Sequence, residues 1–205
     1  MALQKFDYLV VLDFEATCDE NNTRLELQEI IEFPSVLIST SSQEPRVVTS
    51  FQKYVKPVKV PVLSNFCKEL TGIQQAQVDN GVLFAKALQL HKEWLRTNIG
   101  EASFCLVTCG DWDLASMLPR QAKLLGPKKC PGIPGCYKKW INIKKSFKTH
   151  TKTKHGSMMN MLAALNIQHV GRHHSGIDDC VNIANIVMAL IADGAVLDVT
   201  SWASR

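Results

Sequence analysis

Tyr8-Leu9-Val10-Val11-Leu12-Asp13-Phe14-Glu15 is an unbroken apolar run that closes on two acids with one phenylalanine between them. A short apolar run of this kind predicts a strand buried on both faces, as in a sheet covered by helices on each side. Residues two apart on a strand leave the same face, so Asp13 and Glu15 project together while Leu12 and Phe14 turn into the core. Paired carboxylates lose hydration and repel one another, which is costly unless cations lie between them.

Outward from this strand the chain alternates between the two regular periods. Glu29 to Thr40 (EIIEFPSVLIST) predicts a second strand, in which Pro34 argues for a bulge or an edge position. Arg46 to Val55 predicts a third. The short polar link Ser41-Ser42-Gln43-Glu44-Pro45 suits a hairpin, so this part of the sheet is expected to be antiparallel. Ser64 is a plausible cap for a helix over Asn65 to Leu70, with Gly72 as its stop. Val82 to Ile99 predicts a longer helix, with Leu83, Ala87, Leu90, Trp94 and Leu95 on one stripe. Ser103 to Cys109 predicts a buried strand, followed by a helix from Asp111 to Leu125. Tyr137 to Ile143 predicts a fifth strand, and Ser157 to Leu165 and Asp178 to Ala192 the last two helices. The expectation is an α/β fold, a mixed five-stranded sheet flanked by helices, in a single domain over residues 1–205.

The bulk numbers agree with a globular chain. Of 205 residues, 46% are hydrophobic and 20% charged. No apolar stretch approaches the roughly 20 residues that span a bilayer, so no membrane partner is expected. The N-terminal residues lack a signal-peptide pattern. Seven cysteines, an odd number with no Cys-x-x-Cys pair, read as reduced thiols, and an intracellular protein of cytosol or nucleus is expected. The net charge of +4 hides a strong asymmetry. Between Asp113 and Asp178 there is no acid, but there are ten lysines (123, 128, 129, 138, 139, 144, 145, 148, 152 and 154) and Arg120 and Arg172, a total of +12. The remaining 23 − 12 = 11 basic residues face 19 acids. Such segregation points to a polyanionic partner, because phosphates release counterions when they meet a lysine-rich face.

Two further acidic segments could join Asp13 and Glu15. In His174-Ser175-Gly176-Ile177-Asp178-Asp179 a step of about 100° per residue puts Asp179 at the border of the apolar stripe Cys180, Ile183, Ala184, Val187, Leu190 and Ile191. Asp178 falls nearly opposite, facing solvent or capping the helix start. His174, in a glycine-containing loop beside a buried acid, suits a general base. In Gly110-Asp111-Trp112-Asp113-Leu114 the helical wheel selects neither acid cleanly; Asp111 after Gly110 is a natural cap, which would leave Asp113 for metal. Cys130-x5-Cys136-x13-His150-x4-His155 loosely resembles a zinc finger, but its cysteines are too far apart for the usual spacing, and a basic Pro/Gly-rich loop is the better account.

Together these segments resemble the DEDDh 3′→5′ exonucleases of the ribonuclease-H-like superfamily. The motifs are Asp13-Phe14-Glu15-Ala16-Thr17, Trp112-Asp113-Leu114 and His174-x4-Asp179. EIIEFP (29–34), FCKELTGI (66–73), KKWINIKKSF (138–147) and HSGIDDCVNIANI (174–186) resemble the Eri / histone-mRNA 3′-exonuclease group, and CGDWDLASMLP (109–119) its prion-protein-interacting branch. The resemblance implies that Asp13, Glu15, Asp113 and Asp179 bind two Mg2+ or Mn2+ ions with His174 as general base, which selects Asp113 over Asp111. It implies that Ala16 and Thr17 pack on and hydrogen-bond the 3′-terminal nucleotide. Trp112 is read either as core or as a stacking platform for a base. The lysine-rich stretch, Lys144 and Lys145 within it, is expected to hold the upstream backbone. The function so implied is trimming of single-stranded RNA 3′ ends with release of nucleoside 5′-monophosphates. A dual RNA/DNA exonuclease, or an RNA-binding scaffold with a vestigial site, is the alternative.

Overall fold

The computed structural model describes residues 3–21, 23, 25–40, 44–128, 130, 132–153 and 156–203. In chain order the regular elements are β1 (Tyr8–Leu12), β2 (Glu15–Ala16), β3 (Ile30–Ser39), β4 (Arg46–Tyr54), α1 (Asn65–Thr71), α2 (Gln75–Asp79), α3 (Phe84–Ile99), β5 (Phe104–Thr108), α4 (Leu118–Leu125), β6 (Lys139–Asn142), α5 (Ile143–Thr151), α6 (Met158–Ala164), α7 (Gly176–Ala192) and β7 (Ser201–Trp202). A π-helical turn over Asp113–Met117 leads directly into α4.

The expected α/β architecture holds, but the sheet has seven strands rather than five. The two unforeseen strands, β2 and β7, have only two residues each, too few to carry an alternating pattern. β1 lies between β3, antiparallel, and β5, parallel; β6 extends the parallel part and β7 returns antiparallel to it. β3 carries β1 and β2 in succession along one edge and β4 along the other. Pro34 is therefore on an interior strand. It lies opposite the Asp13–Phe14 break, where β1 has ended at the Leu12–Ser35 pair and β2 has not begun, so a ladder donor is not needed there. Residues 41–43 of the presumed hairpin loop lie outside the described residues, although Ser39 does pair with Arg46.

β1 explains the two-sided burial. Leu9 and Val11 point into a core with Cys180, Ile183, Val187, Leu190 and Phe147 from α7 and α5. Val10, Leu12 and Phe14 point into the opposite core with α3, α4, Tyr137 and Trp140. Ser64 caps α1 by accepting from the Cys67 amide at 2.9 Å, and Gly72 ends it at φ 78°, both as the sequence predicts.

The stripe expected on α3 is rotated. Leu83 precedes the helix and is exposed, whereas Phe84, Ala87, Leu88, His91, Leu95 and Ile99 are buried. His91 fits because both ring nitrogens are satisfied. The Ser35 hydroxyl donates to the Pro34 carbonyl at 2.7 Å, so it accepts from Nε2–H of His91 at 2.9 Å, leaving Nδ1 to accept from the Tyr137 hydroxyl at 2.6 Å. The ring is thus neutral, and burial pulls its pKa down to about 3. A histidine depressed in the fold stabilises above its unfolded value and loses that contribution as pH falls toward the folded one. The stability advantage of the native chain over His91→Leu should therefore shrink by about 2 kcal/mol from pH 7 to pH 5 in urea titrations. A constant difference would show that the ring is not held neutral.

Candidate active site

β1 delivers Asp13 just past its end, and the chain resumes pairing at Glu15, whose Cα partner on β3 is Glu32. Asp113 opens the π turn after β5. Its Oδ1 accepts from the Phe14 amide at 2.8 Å, a contact that ties the second acidic segment to the first and leaves Asp113 only 4% exposed. Pro119 lacks the N–H that the Ala115 carbonyl would meet in a regular helix; the turn widens instead, with the Leu118 amide bonding the Asp113 carbonyl.

Asp111 goes elsewhere. Its Oδ1 accepts from Trp140 Nε1 at 3.0 Å and from the Ser201 hydroxyl at 2.6 Å, and its Oδ2 pairs with Lys145 Nζ at 2.9 Å. Partial burial works against the charged form, but these donors outweigh it and hold the carboxyl at about 2. Asp111 is thus a clamp on β6, β7 and α5, and its carboxylate does not cap a helix.

The third segment starts α7. The Asp179 Oδ2 accepts from the His174 amide at 3.0 Å, and the Asp178 Oδ2 accepts from the Arg172 amide at 2.9 Å. Asn182 bonds both the amide and the carbonyl of Val170. Three side chains on the first turns of α7 therefore hold the 170–174 loop. Asp178 engages that loop backbone, rather than solvent, from the third residue of the helix. His174 sits at φ 66°, a left-handed conformation that a non-glycine residue adopts at a cost of roughly 1 kcal/mol or more. Gly176 allows the helix N-terminus to approach: a Cβ there would meet the Asp13 carbonyl oxygen at 2.9 Å and Glu32 Oε2 at 3.0 Å.

Asp13, Glu15 and Asp179 each offer an oxygen within 4.8 Å of the others, and the Asp179 Oδ1 is buried with no hydrogen-bond partner. Glu32, 1% exposed, is a fifth acid that sequence reasoning missed. It accepts from the Gln52 side chain at 2.7 Å and from the Gly176 amide at 3.1 Å. Its signal lay in EIIEFP, but a glutamate inside an apolar strand gives no sign of the register that sets it opposite Glu15.

Burial, then repulsion from Asp113, Glu15, Asp179 and Glu32, pushes the Asp13 carboxyl well up. Burial and the neighbouring acids push Glu15 to about 9, and burial pushes Asp113 to about 6. Asp179 and Glu32 are raised mainly by burial. Five acids that resist ionisation together, one with an orphaned oxygen, form an all-oxygen donor set that fits hard divalent cations. His174 has its pKa lowered by burial, then by His173 and Arg172, so the ring stays neutral and able to accept a proton near pH 7.

The remaining predicted site residues are distributed unevenly. Ala16 and Thr17 continue β2 beside the acids; the Thr17 hydroxyl accepts from the Glu29 amide at 3.0 Å. Glu29 in turn takes amide bonds from Val58, Lys59 and Val60, which fixes the approach to α1. A cleft of about 490 Å3 opens past Thr17, lined also by Cys18, Leu27, Leu63 and Ser64. Trp112 is 42% exposed and so is not a core residue. Lys144 lies over Gly110, its Nζ 3.8 Å from where a Cβ would stand. Lys145 is occupied by Asp111 and Ser201. The zinc-finger spacing does not assemble: Cys130 and Cys136 pack in the α3-side core, His150 pairs with Asp193 at 2.7 Å, and His155 lies outside the described residues, as do Lys129 and Lys154.

The raised carboxyls have a thermodynamic consequence. A group whose folded pKa is raised loses its stabilising contribution as pH rises through that value. Metal-free protein should therefore melt at lower temperature at pH 8.5 than at pH 6.5, and millimolar Mg2+ should abolish the difference. Asp13→Asn should flatten the metal-free profile and remove most of the Mg2+ stabilisation. Identical melting profiles with and without Mg2+ would show that these acids bind no cation.

The RNase_T exonuclease family profile matches residues 10–187. Human ERI1 exoribonuclease 3 is 42% identical over 203 residues, which is 97% of this chain and 58% of that protein. Rat 3′-5′ exoribonuclease 1 is 41% identical over 196 residues, 94% of this chain and 55% of that one. The chain thus spans little more than half the length of these relatives. The solved nuclease domain of 3′hExo, a DEDDh family member bound to rAMP, superimposes with a TM-score of 0.91 at 36% identity, covering 98% of this chain and all of that one. A second solved structure, the 3′-exonuclease in 3′-end-specific recognition of the histone mRNA stem-loop, gives 0.87 at 35% identity, covering 96% and 87%. By profile, identity and fold the chain belongs to this exonuclease family, in the Eri / histone-mRNA 3′-exonuclease group.

Proposed function

We propose that this chain is a metal-dependent 3′→5′ exoribonuclease that trims single-stranded RNA ends and releases nucleoside 5′-monophosphates. The observation that carries this is the convergence of Asp13, Glu15 and Asp179, with Asp113 tied in through the Phe14 amide, beside a neutral His174, with one buried Asp179 oxygen left for a ligand. The names of the relatives, exoribonucleases throughout, support it.

Asp13, Glu15, Asp113 and Asp179 would hold two divalent cations, Mg2+ or Mn2+. When bound, these supply charge stabilisation to the phosphate and to the leaving 3′ oxygen. His174 accepts the proton of the attacking water through its imidazole. Its left-handed backbone and the amide bond to Asp179 aim the ring before substrate arrives. Thr17 borders the cleft suited to the 3′-terminal nucleotide, with Ala16 just before it on β2, and exposed Trp112 offers a stacking face. Lys144 and the exposed α5 lysines would follow the upstream backbone, whereas Lys145 reaches RNA only by leaving Asp111. The seven free thiols support a reducing compartment, cytosol or nucleus. Among the described residues no helix is long and apolar enough to cross a membrane.

End-labelled RNA in Mg2+ should give a ladder shortening from the 3′ end, absent in Asp13→Asn; equal laddering of DNA would favour the dual-specificity alternative, and binding without cleavage in any metal a scaffold. His174→Ala should lower turnover by roughly a hundredfold or more with little change in RNA affinity. In the native chain the acid limb of turnover should lie below the ordinary histidine value of 6.5. Unchanged turnover in His174→Ala would remove its assigned role.

A further inference from the structure

The loop that carries His174 holds more imidazole than an exonuclease site uses. His173 stacks on His174 with ring centroids 4.0 Å apart, and His169 meets His173 edge-on at 6.1 Å. Ring nitrogens of His173 and His174 and an oxygen of Asp179 all lie within 4.8 Å of one another. Two polar atoms here are buried without a partner: Nε2 of His169 and Oδ1 of Asp179, the latter on a side chain only 5% exposed. Unsatisfied buried groups of this kind are rare and call for a ligand. The backbone around them is already anchored, by the Arg172 and His174 amides on Asp178 and Asp179 and by Val170 on Asn182, so the imidazoles start from a preset frame.

We propose that His169, His173, His174 and Asp179 form a further cation site that shares Asp179 with the acid cluster and is selective for borderline transition metals such as Zn2+, and whose occupation inhibits the enzyme by consuming the imidazole of His174. Three nitrogens and one carboxylate are a donor set for tetrahedral Zn2+, whereas Mg2+ takes oxygen and leaves imidazole. Bonds of about 2.0–2.1 Å put tetrahedral donors about 3.4 Å apart. Ligand atoms of His173, His174 and Asp179 start within 4.8 Å of one another, and His169, its ring 6.1 Å from that of His173, would complete the set by turning toward them. The acidic cluster beyond Asp179 draws cations of any kind toward this corner, and the imidazoles select among them. A lone pair donated to Zn2+ is no longer available to a water proton, so occupation and proton acceptance exclude one another. The inhibitory half rests on His174 as general base; the binding half does not.

The test uses the metal-stripped chain in excess Mg2+, with Zn2+ binding followed by competition against a chromophoric chelator and RNA cleavage measured in parallel. The native chain should bind one Zn2+ despite the Mg2+ and lose activity in step with occupancy. His173→Ala and His169→Ala should each weaken Zn2+ by at least about tenfold and raise the Zn2+ needed for half inhibition by the same factor. His169→Ala should keep the native rate in Mg2+ alone. Binding can also be read from the visible absorption of tetrahedral Co2+, which needs no activity, so a chain inactive in every metal would sink the proposed function while leaving the site measurable. No Zn2+ uptake in Mg2+, or uptake and inhibition indifferent to both substitutions, would overturn the site.

Discussion

The structure depends on keeping five carboxylates together against their own repulsion. Three of them are held by main-chain amides from distant parts of the chain: Phe14 to Asp113, His174 to Asp179, and Gly176 to Glu32. Each bond is at once a support for an acid and a tether between elements, so β1, the π turn and the start of α7 cannot be displaced without exposing a charge in the interior. Such charge-assisted bonds stabilise the ionised forms, but burial outweighs them at Asp113, Asp179 and Glu32, whose carboxyls remain raised. The cluster is a set of buried acids that fits hard cations, and the rest of the fold supplies the rigidity that keeps it together.

That rigidity comes from two layers. α7 is packed along the sheet through Cys180, Ile183, Val187 and Leu190, which fixes the azimuth at which Asp179 leaves the helix. Gly176 then permits the contact of backbone with Asp13 and Glu32 that any larger residue would block. Toward the β7 edge of the sheet the Asp111 clamp to Trp140, Ser201 and Lys145 draws β6, β7 and α5 together and so sets Lys144 beside Gly110. The lysines nearest the acids are thus placed by a carboxylate that takes no part in the cluster. Of the basic stretch, Lys144 is thereby brought near enough to Asp113 to favour its charged form.

Much of this was legible in the residues. The two-sided strand, the α1 cap and stop, and the choice of Asp179 over Asp178 followed from periodicity and capping chemistry, because those depend on neighbours within a turn or two. Asp111 against Asp113 stayed open on geometry alone, since the wheel assumed a regular helix and the segment begins with a π turn. His91 escaped notice because a buried histidine needs two partners, Ser35 and Tyr137, that lie 56 and 46 residues away. Trp112 was exposed where an aromatic at a helix entry is usually core.

The sequence by itself determined the fold class, the three acidic motifs and the basic stretch, all carried by local patterns of side-chain type. Only the tertiary structure decided that Glu32 joins the acids, that Lys145 serves Asp111, and that His169 and His173 gather around His174. These are matters of strand register and loop anchoring, where residues distant in sequence meet through hydrogen bonds whose partners no local periodicity encodes.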